Sequence, residues 1–356
     1  MRLELSPRTD VTPVMRMLAP IVALILAFGV AAIVIAGLGK SPAAAFQVYV
    51  IGSLSDSWAI QELLVKAAPL ILIAIGLSYC FRANLWNIGA EGQFVIGGLF
   101  GGWVAIATHG SDWTLVWPVM LLAGAAAGAV YGLIPAILKV RFGANEILTS
   151  LMLVNIGQLF LDYMVRGPLR DPKGMNFPQS VTFDAAATLP TVWGSDRVHL
   201  GLVLALIMVV LTLIIGGRSL FGYRLRLSGD APKAAQFAGF SSKGTVLLAF
   251  MISGALAGLA GVCEVAGQIG QLQPAISPGY GFTAITVAFL GRLHPIGIVL
   301  SGLVLALVMI GGENAQIMLK LPLDLTTAFQ GLLLLFVLSA DAAVSYRFRI
   351  VRGRNG

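Results

Sequence analysis

The sequence predicts an all-α polytopic membrane protein: about ten transmembrane helices forming two inverted-topology repeats with broken helices, and both termini cytoplasmic. Three observations predict it. Only 11% of the 356 residues are charged, where a soluble domain carries about 25%. Hydrophobic residues make up 58% and the mean hydropathy is +0.90. Apolar runs near the about 20 residues needed to cross a bilayer recur along the whole chain. A soluble body of this size needs a polar skin that this composition cannot supply. Nucleic-acid binders, secreted enzymes and disordered regulators are thereby set aside, and the main partner is membrane lipid.

The spans follow in order. The N-terminal stretch lacks a small-residue cleavage site, so the run at 17–38 reads as a retained first helix and not a signal peptide. Further runs lie at 67–81, 94–108, 114–138, 147–165, 199–217, 245–267, 296–312 and 325–344. A shorter run at 282–293 follows Pro274, Pro278, Gly279 and Gly281, as a broken or re-entrant helix would. Counting it gives ten spans, and charge supports the count. With the N-terminus inside, sixteen of the 23 Lys and Arg residues fall in cytoplasmic segments and seven outside, the sign expected of the positive-inside rule. Nine spans would put the Arg-rich tail outside. The net charge of +7 is then topology, with no nucleic-acid partner implied.

One transmembrane domain is expected over 1–356. Its cytoplasmic parts are an N-terminus at 1–16, a loop at 218–244 and a tail at 345–356; a Pro- and Gly-rich loop at 166–198 is extracytoplasmic. Spans two to five begin outside and spans seven to ten begin inside, as two inverted four-helix repeats require. The second helix of each half is glycine-interrupted, NIGAEGQFVIGGLFGG and SPGYGFTAITVAFLG. Paired interruptions of that kind mark a site near the bilayer midplane.

Residues within the apolar spans or at their mouths are the candidate pathway: Trp86, Asn87, Glu91, Gln93, Asn145, Asn155, Glu264, Gln268 and Gln271. A carboxylate entering a span is costly, so Glu91 faces either a cavity or a structural partner such as Arg82. Asn145 either lines the route or caps span five, whose first turn carries Glu146. Asn155 reads equally as an interhelical hydrogen bond. Glu264 precedes a polar run of Gln268, Gln271 and Gln273 that fits a cavity wall. Glycines spaced by four, such as Gly124/Gly128/Gly132 and Gly254/Gly258, read as close helix packing.

In the loop RLSGDAPKAAQFAGFSSKG, Asp230 can cap a short helix with Pro232 in its first turn and Gly239 at its end. Ala231, Ala234, Ala235 and Ala238 then form one small-residue face. A lipid-surface helix would carry Leu, Phe or Trp there; methyl groups suit a protein groove, the alternative being a solvated basic loop. Catalytic signatures are missing. GLGKS at 37–41 imitates a phosphate loop, but Val34 stands where the first glycine belongs, and His109, His199 and His294 are isolated. Cys80 and Cys263 lie far apart in apolar runs, which indicates neither a metal centre nor a disulfide frame.

The segments APLILIAIGLSYCFRANLWNIGAEGQFVIGG (67–98), GANEILTSLMLVNIG (143–157), GDAPKAAQFAGF (229–240) and ISGALAGLAGVCEVAGQ (252–268) resemble permease subunits of bacterial ATP-binding-cassette importers. The superfamily serves branched-chain amino acids, ribose-like sugars and nucleosides, and the nucleoside (simple-sugar) branch is the nearest in look. The resemblance spans roughly 60 to 340. It implies a location in the bacterial cytoplasmic (inner) membrane. It implies pairing with a second related permease, as a heterodimer or a homodimer. It implies a cytoplasmic ATPase docked on Gly229, Asp230, Ala231, Ala234, Ala235, Ala238 and Gly239, and an extracytoplasmic substrate-binding protein. ATP and Mg would sit on the ATPase, with no cofactor and no hydrolytic site in this chain. Leu85 before Trp86 departs slightly from the commoner pattern. Nucleobases would suit stacking on Phe81, Trp86, Phe94 or Trp103, although lipid-facing aromatics are as ordinary. Rival readings are a permease for a simple sugar such as ribose or for branched-chain amino acids, and a stand-alone ion-coupled transporter.

Overall fold

The computed structural model describes residues 2–8, 12–111, 113–192 and 197–351. Arg352 and Arg354 of the expected cytoplasmic tail lie outside the described residues, as do 193–196 of the extracytoplasmic loop. Nine helices among the described residues are long and apolar enough to cross a membrane, with shorter apolar helices at Pro42–Leu54 and Tyr280–Leu290. This is a multi-pass membrane protein. The chain divides into two compact units, Met1–Ser55 with Leu307–Gly356, and Asp56–Ala306.

The first unit holds α1 (Pro13–Gly37), the short α2 (Pro42–Phe46) and the last span, α13 (Leu323–Ser345). Helix α1 ends at GLGKS, where Gly39 turns left-handed at φ +74° and Ser41 caps α2, so the phosphate-loop imitation is a helix–turn–helix joint. Phe28 packs on Phe329 at 5.1 Å, and the Tyr49 and Thr326 hydroxyls share a hydrogen bond of 3.0 Å. Outside the helices, β1 (Arg2–Pro7) pairs antiparallel with β2 (Tyr346–Val351), Leu5 opposite Phe348, and joins the two ends of the chain.

The second unit contains α3 (Ser57–Arg82), α4 (Ala90–Ala107), α5 (Val116–Phe142), α6 (Glu146–Arg166) and α7 (Leu200–Arg218). Then come α8 (Leu220–Asp230), α9 (Pro232–Phe237), α10 (Ser242–Glu264), α11 (Tyr280–Leu290) and α12 (Pro295–Leu319), which continues past Ala306 into the first unit. Caps set the starts: Asp56 Oδ1 accepts from Ala59 N–H at 2.7 Å, and Asn145, Ser219 and Ser241 do the same for α6, α8 and α10. Because Asp56 caps α3, that helix begins ten residues before the apolar run at 67–81. Glu62 and Lys66, expected in an outer loop, are helical, and Lys66 is buried.

Helix α3 is the central post, with Leu70 to Leu77 buried without interruption. Beside it, α10 meets α4 and α5 backbone to backbone. A Cβ on Gly97 would lie 2.1 Å from Gly258 Cα, and one on Gly254 would lie 2.3 Å from Gly128 O. Those glycines hold three helices at a separation no side chain permits. They do not interrupt α4, contrary to the expected glycine-broken helix. Its backbone is regular from Ala90, and the irregular segment is 83–89 just before it, where Asn84 turns left-handed at φ +54°. The corresponding irregular segment before α11 runs from Gly270, also left-handed, to Gly279.

Candidate functional site

Two helix starts converge in the second unit. Glu91, in the first turn of α4, accepts from Gly281 N–H in the first turn of α11 at 2.6 Å. Gly281 sits so close that a Cβ there would fall 2.3 Å from Glu91 N. A carboxylate placed at two helix N-termini meets the positive ends of both dipoles, which offsets part of its burial cost. Its partner is therefore α11, while Arg82, the expected alternative, donates to Leu293 O. Asn87 and Gln93 exchange two amide hydrogen bonds of 2.9 and 3.1 Å, and Asn87 Nδ2 also reaches Ser253 Oγ on α10 at 3.0 Å. Gly89 N–H donates to Asn87 Oδ1 and Ile88 N–H to Ser150 Oγ on α6, so the irregular turn before α4 is held by side chains.

The residues expected along the pathway are packed within this chain. Asn87 is 0% exposed, Gln93 1% and Glu91 6%. Their polar atoms face each other, α10 and α11, and they tie the start of α4 to both helices. Trp86 is half-buried in a ring stack with Phe81 and Phe289, centroids 4.8 to 5.6 Å apart. Phe94 is buried against Tyr280, so of the stacking candidates Trp103 alone is exposed. Glu264 is buried, with the Tyr280 hydroxyl donating to it at 3.5 Å.

Gln268 and Gln271 bond to side chains of this chain. Gln268 Nε2 donates to Glu62 Oε1 at 3.1 Å, and Glu62 also holds Arg197 at 2.5 Å, whose guanidinium lies 4.8 Å from the Trp58 ring. Gln271 donates to Gln179, and Ser180 N–H and Phe183 N–H bond the carbonyls of Leu272 and Gly270. The 166–198 loop is thus stitched onto the segment that follows α10. Asn145 is the cap of α6, its Oδ1 accepting from Ile147 N–H at 2.9 Å.

Asn155 differs from all of these. It is exposed on the outer side of α6, among Met152 (66% exposed), Ile156 (54%) and Leu159 (69%). An amide in the middle of a span and outside the chain's own core needs a polar surrounding that lipid cannot give.

The 218–244 loop is two helices. Asp230 is the last residue of α8 and not the cap of α9, whose N-cap is Ala231. The four alanines do not share one outer face. Ala235 is 1% exposed and points into this chain, while Ala234 and Ala238 are exposed. The reason is a tight joint: a Cβ on Gly229 would lie 2.3 Å from Arg82 O, so the end of α8 rests on the end of α3. Phe237, which breaks the small-residue pattern, is the most exposed large hydrophobic side chain among the described residues, at 94%. Gly239, left-handed at φ +79°, closes the turn as expected. Arg224 ties α8 to the start of α10, donating to Thr245 Oγ1 and Ser241 O at 2.8 Å each.

Comparison with known proteins bears on this architecture. The family described as "Branched-chain amino acid transport system / permease component" matches residues 59–338. A glucose ABC transporter permease protein of Haloferax volcanii is 35% identical over 99% of this chain and 95% of its own length. The guanosine ABC transporter permease protein NupP of Bacillus subtilis is 31% identical over 95% and 96%. The nucleoside ABC transporter permease protein NupB of Lactococcus lactis is 30% identical over 84% of each chain. No solved structure matches. With its polytopic helices and a match covering most of its length, this chain belongs to the permease-component family of branched-chain amino acid transport systems.

Proposed function

We propose that this chain is the membrane-spanning permease subunit of an ATP-binding-cassette importer for nucleosides in the bacterial cytoplasmic membrane. The termini and the α8–α9 loop face the cytoplasm, and the two halves are inverted repeats whose second helices are α4 and α11. A related permease completes the pathway. ATP and Mg belong to a cytoplasmic ATPase, and an extracytoplasmic binding protein delivers the substrate. Relatives named as guanosine and nucleoside permeases support the substrate class. Two different permeases of Bacillus subtilis, and two of Lactococcus lactis, resemble this chain, which favours a heterodimer. The 35% identity to a glucose permease supports a sugar as the second reading.

The observation that carries the coupling role is Phe237. A large aromatic side chain 94% exposed on a short, anchored helix suits a pocket in another protein. Force on α9 would pass through α8 and Arg224 to α10, and from α10 through the glycine contacts to α4 and α5. The substrate route would run along the outer side of α6, where Asn155 meets the partner permease or the pathway itself. Phe237→Asp tests this in the reconstituted complex with its ATPase and loaded binding protein. Substrate-stimulated ATP hydrolysis falls at least roughly tenfold, as loss of a buried aromatic anchor implies, with unfolding temperature unchanged. Unaltered stimulation overturns the coupling role. Uptake assays with nucleosides against pentoses and hexoses decide between the two substrate readings.

A further inference from the structure

Helix α11 is too short to cross a bilayer, and its neighbours fix the depth at which it starts. Phe289, near its end, stacks on Phe81 at 4.8 Å, and Arg82 at the end of α3 donates to Leu293 O in the turn that follows. Eleven residues at 1.5 Å each carry α11 about 16 Å back from that end, about half of the roughly 30 Å hydrocarbon core. The start of α11 therefore lies near the middle of the membrane, and so does the start of α4, which Glu91 joins to Gly281. The segment 270–279 reaches that depth as irregular chain.

Non-helical backbone at such a depth needs protein around it or water beside it. Within this chain, protein covers one side. Leu272 and Ile276 are buried, whereas Ala275 and Pro278 are exposed. Pro274 and Pro278 bring no N–H. The backbone N–H groups of Gln273, Ala275, Ile276 and Ser277 have no acceptor among the described residues. Lipid tails offer them none.

Helix α6 extends the same surface. Gln158 Nε2 donates to Pro274 O at 2.5 Å, and one turn earlier on α6 stands the exposed Asn155. These residues are level with the two helix starts, since a Cβ on Gly92, beside Glu91, would lie 2.9 Å from Val154 Cα. Asn155, Gln158 and 273–279 carry amides, a hydroxyl and peptide groups but no charged side chain. Glu91 nearby is buried and accepts from Gly281 N–H. A zwitterion on this wall would leave its ammonium and carboxylate unpaired, which is costly away from bulk water. A solute that offers hydroxyl, carbonyl and ring-nitrogen groups finds partners there.

We propose that residues 273–278, with Asn155 and Gln158, form a mid-membrane wall of the aqueous route that binds a neutral, hydrogen-bonding solute and excludes zwitterionic amino acids. Gln158 is a positioning residue, holding the Pro274 carbonyl and with it the shape of the wall. The proposal rests on the permease reading above and narrows its substrate class to nucleosides or sugars.

Cys80 and Cys263 are both buried, so an introduced thiol reports alone. Ala275→Cys and Ile276→Cys are compared in the permease complex in proteoliposomes, using a charged, membrane-impermeant thiosulfonate. Ala275→Cys is expected to react and Ile276→Cys to resist. Excess guanosine, uridine or glucose should slow the reaction at 275, and leucine should not; the protecting solute names the class. Adding Gln158→Leu should weaken that protection about fivefold, as loss of one hydrogen bond implies, with the unfolding temperature unchanged. An unreactive Ala275→Cys puts the segment under lipid or a partner subunit and overturns the wall. Protection by leucine equal to that by the neutral solutes, or by none of the four, overturns the neutral-solute site. Undiminished protection in the Gln158→Leu protein overturns the positioning role. Labelling consumes no ATP, so these outcomes stand apart from a failure of ATP-driven uptake, which would sink the importer reading alone.

Discussion

Gly258→Ala should be among the most damaging single-methyl changes in this protein. Its added Cβ would lie 2.2 Å from Gly124 O and 3.0 Å from Gly128 Cα, both of them backbone atoms of α5. Ordinary contact begins near 3.4 Å, so α5 and α10 must part by about 1.2 Å at that level. No rotamer relieves the clash, because neither partner is a flexible side chain. On the other flank, α4 approaches the same glycine through Gly97, so α10 cannot shift away from α5 without meeting α4. Overpacking typically costs 1–3 kcal/mol, and a clash with backbone on two sides belongs at the upper end, about 3 kcal/mol. The control is Gly331→Ala in α13, where a Cβ meets nothing within 4 Å. There the helix gains up to about 1 kcal/mol from alanine's propensity. Purified variants would be compared by thermal unfolding in one detergent. A Gly258→Ala protein as stable as wild type, beside an unaffected Gly331→Ala, would refute the backbone-contact account of the core.

Asn87→Ala removes the partner of the Gln93 amide, the Ser253 hydroxyl and Gly89 N–H together. It should lower stability by about 2–3 kcal/mol, measured by the same unfolding assay, because buried polar groups lose their bonds. His199 caps α7 just before its span, buried at 2% exposure with Nδ1 accepting from Gly201 N–H, and burial pushes its imidazole down to about 4. The unfolded chain therefore binds the proton first: stability is full above about pH 6.5 and falls by about 1.4 kcal/mol per pH unit towards pH 4. His199→Asn should flatten that part of the pH–stability curve; an identical slope in wild type and variant would contradict it. Asn155→Leu should leave the stability of the isolated chain within about 0.5 kcal/mol, since the residue is exposed, yet lower uptake in the assembled transporter. Uptake equal to wild type would remove Asn155 from the pathway.

The membrane helices were legible because hydropathy is a local property: each of the nine long apolar runs became a helix, although α3, capped by Asp56, and α12 extend beyond their runs. The fourfold glycine spacing was legible for the same reason, since helical period alone puts those residues on one face. The roles of the polar residues were not legible. Asn87, Glu91 and Gln93 look the same in sequence whether they face a ligand or one another, and only the approach of α10 and α11 distinguishes the two. Phe237 and Ala235 exchanged places for a similar reason. Periodicity predicts which residues share a face, but the turn at Ala231 and the contact of Gly229 with α3 decide which face is covered.

By itself, the sequence determined that this chain lives in a membrane and roughly how many times it crosses. Those properties follow from local hydropathy and charge. The tertiary structure alone decided that the buried carboxylate of Glu91 joins two helix starts, and that Asn155 is the mid-span amide facing out. It also brought Gln158 to the irregular segment before α11. The physical reason is distance along the chain. Residues 91 and 281, or 158 and 274, acquire a relation only when helices pack, and packing here is set by glycines whose contacts the sequence does not name.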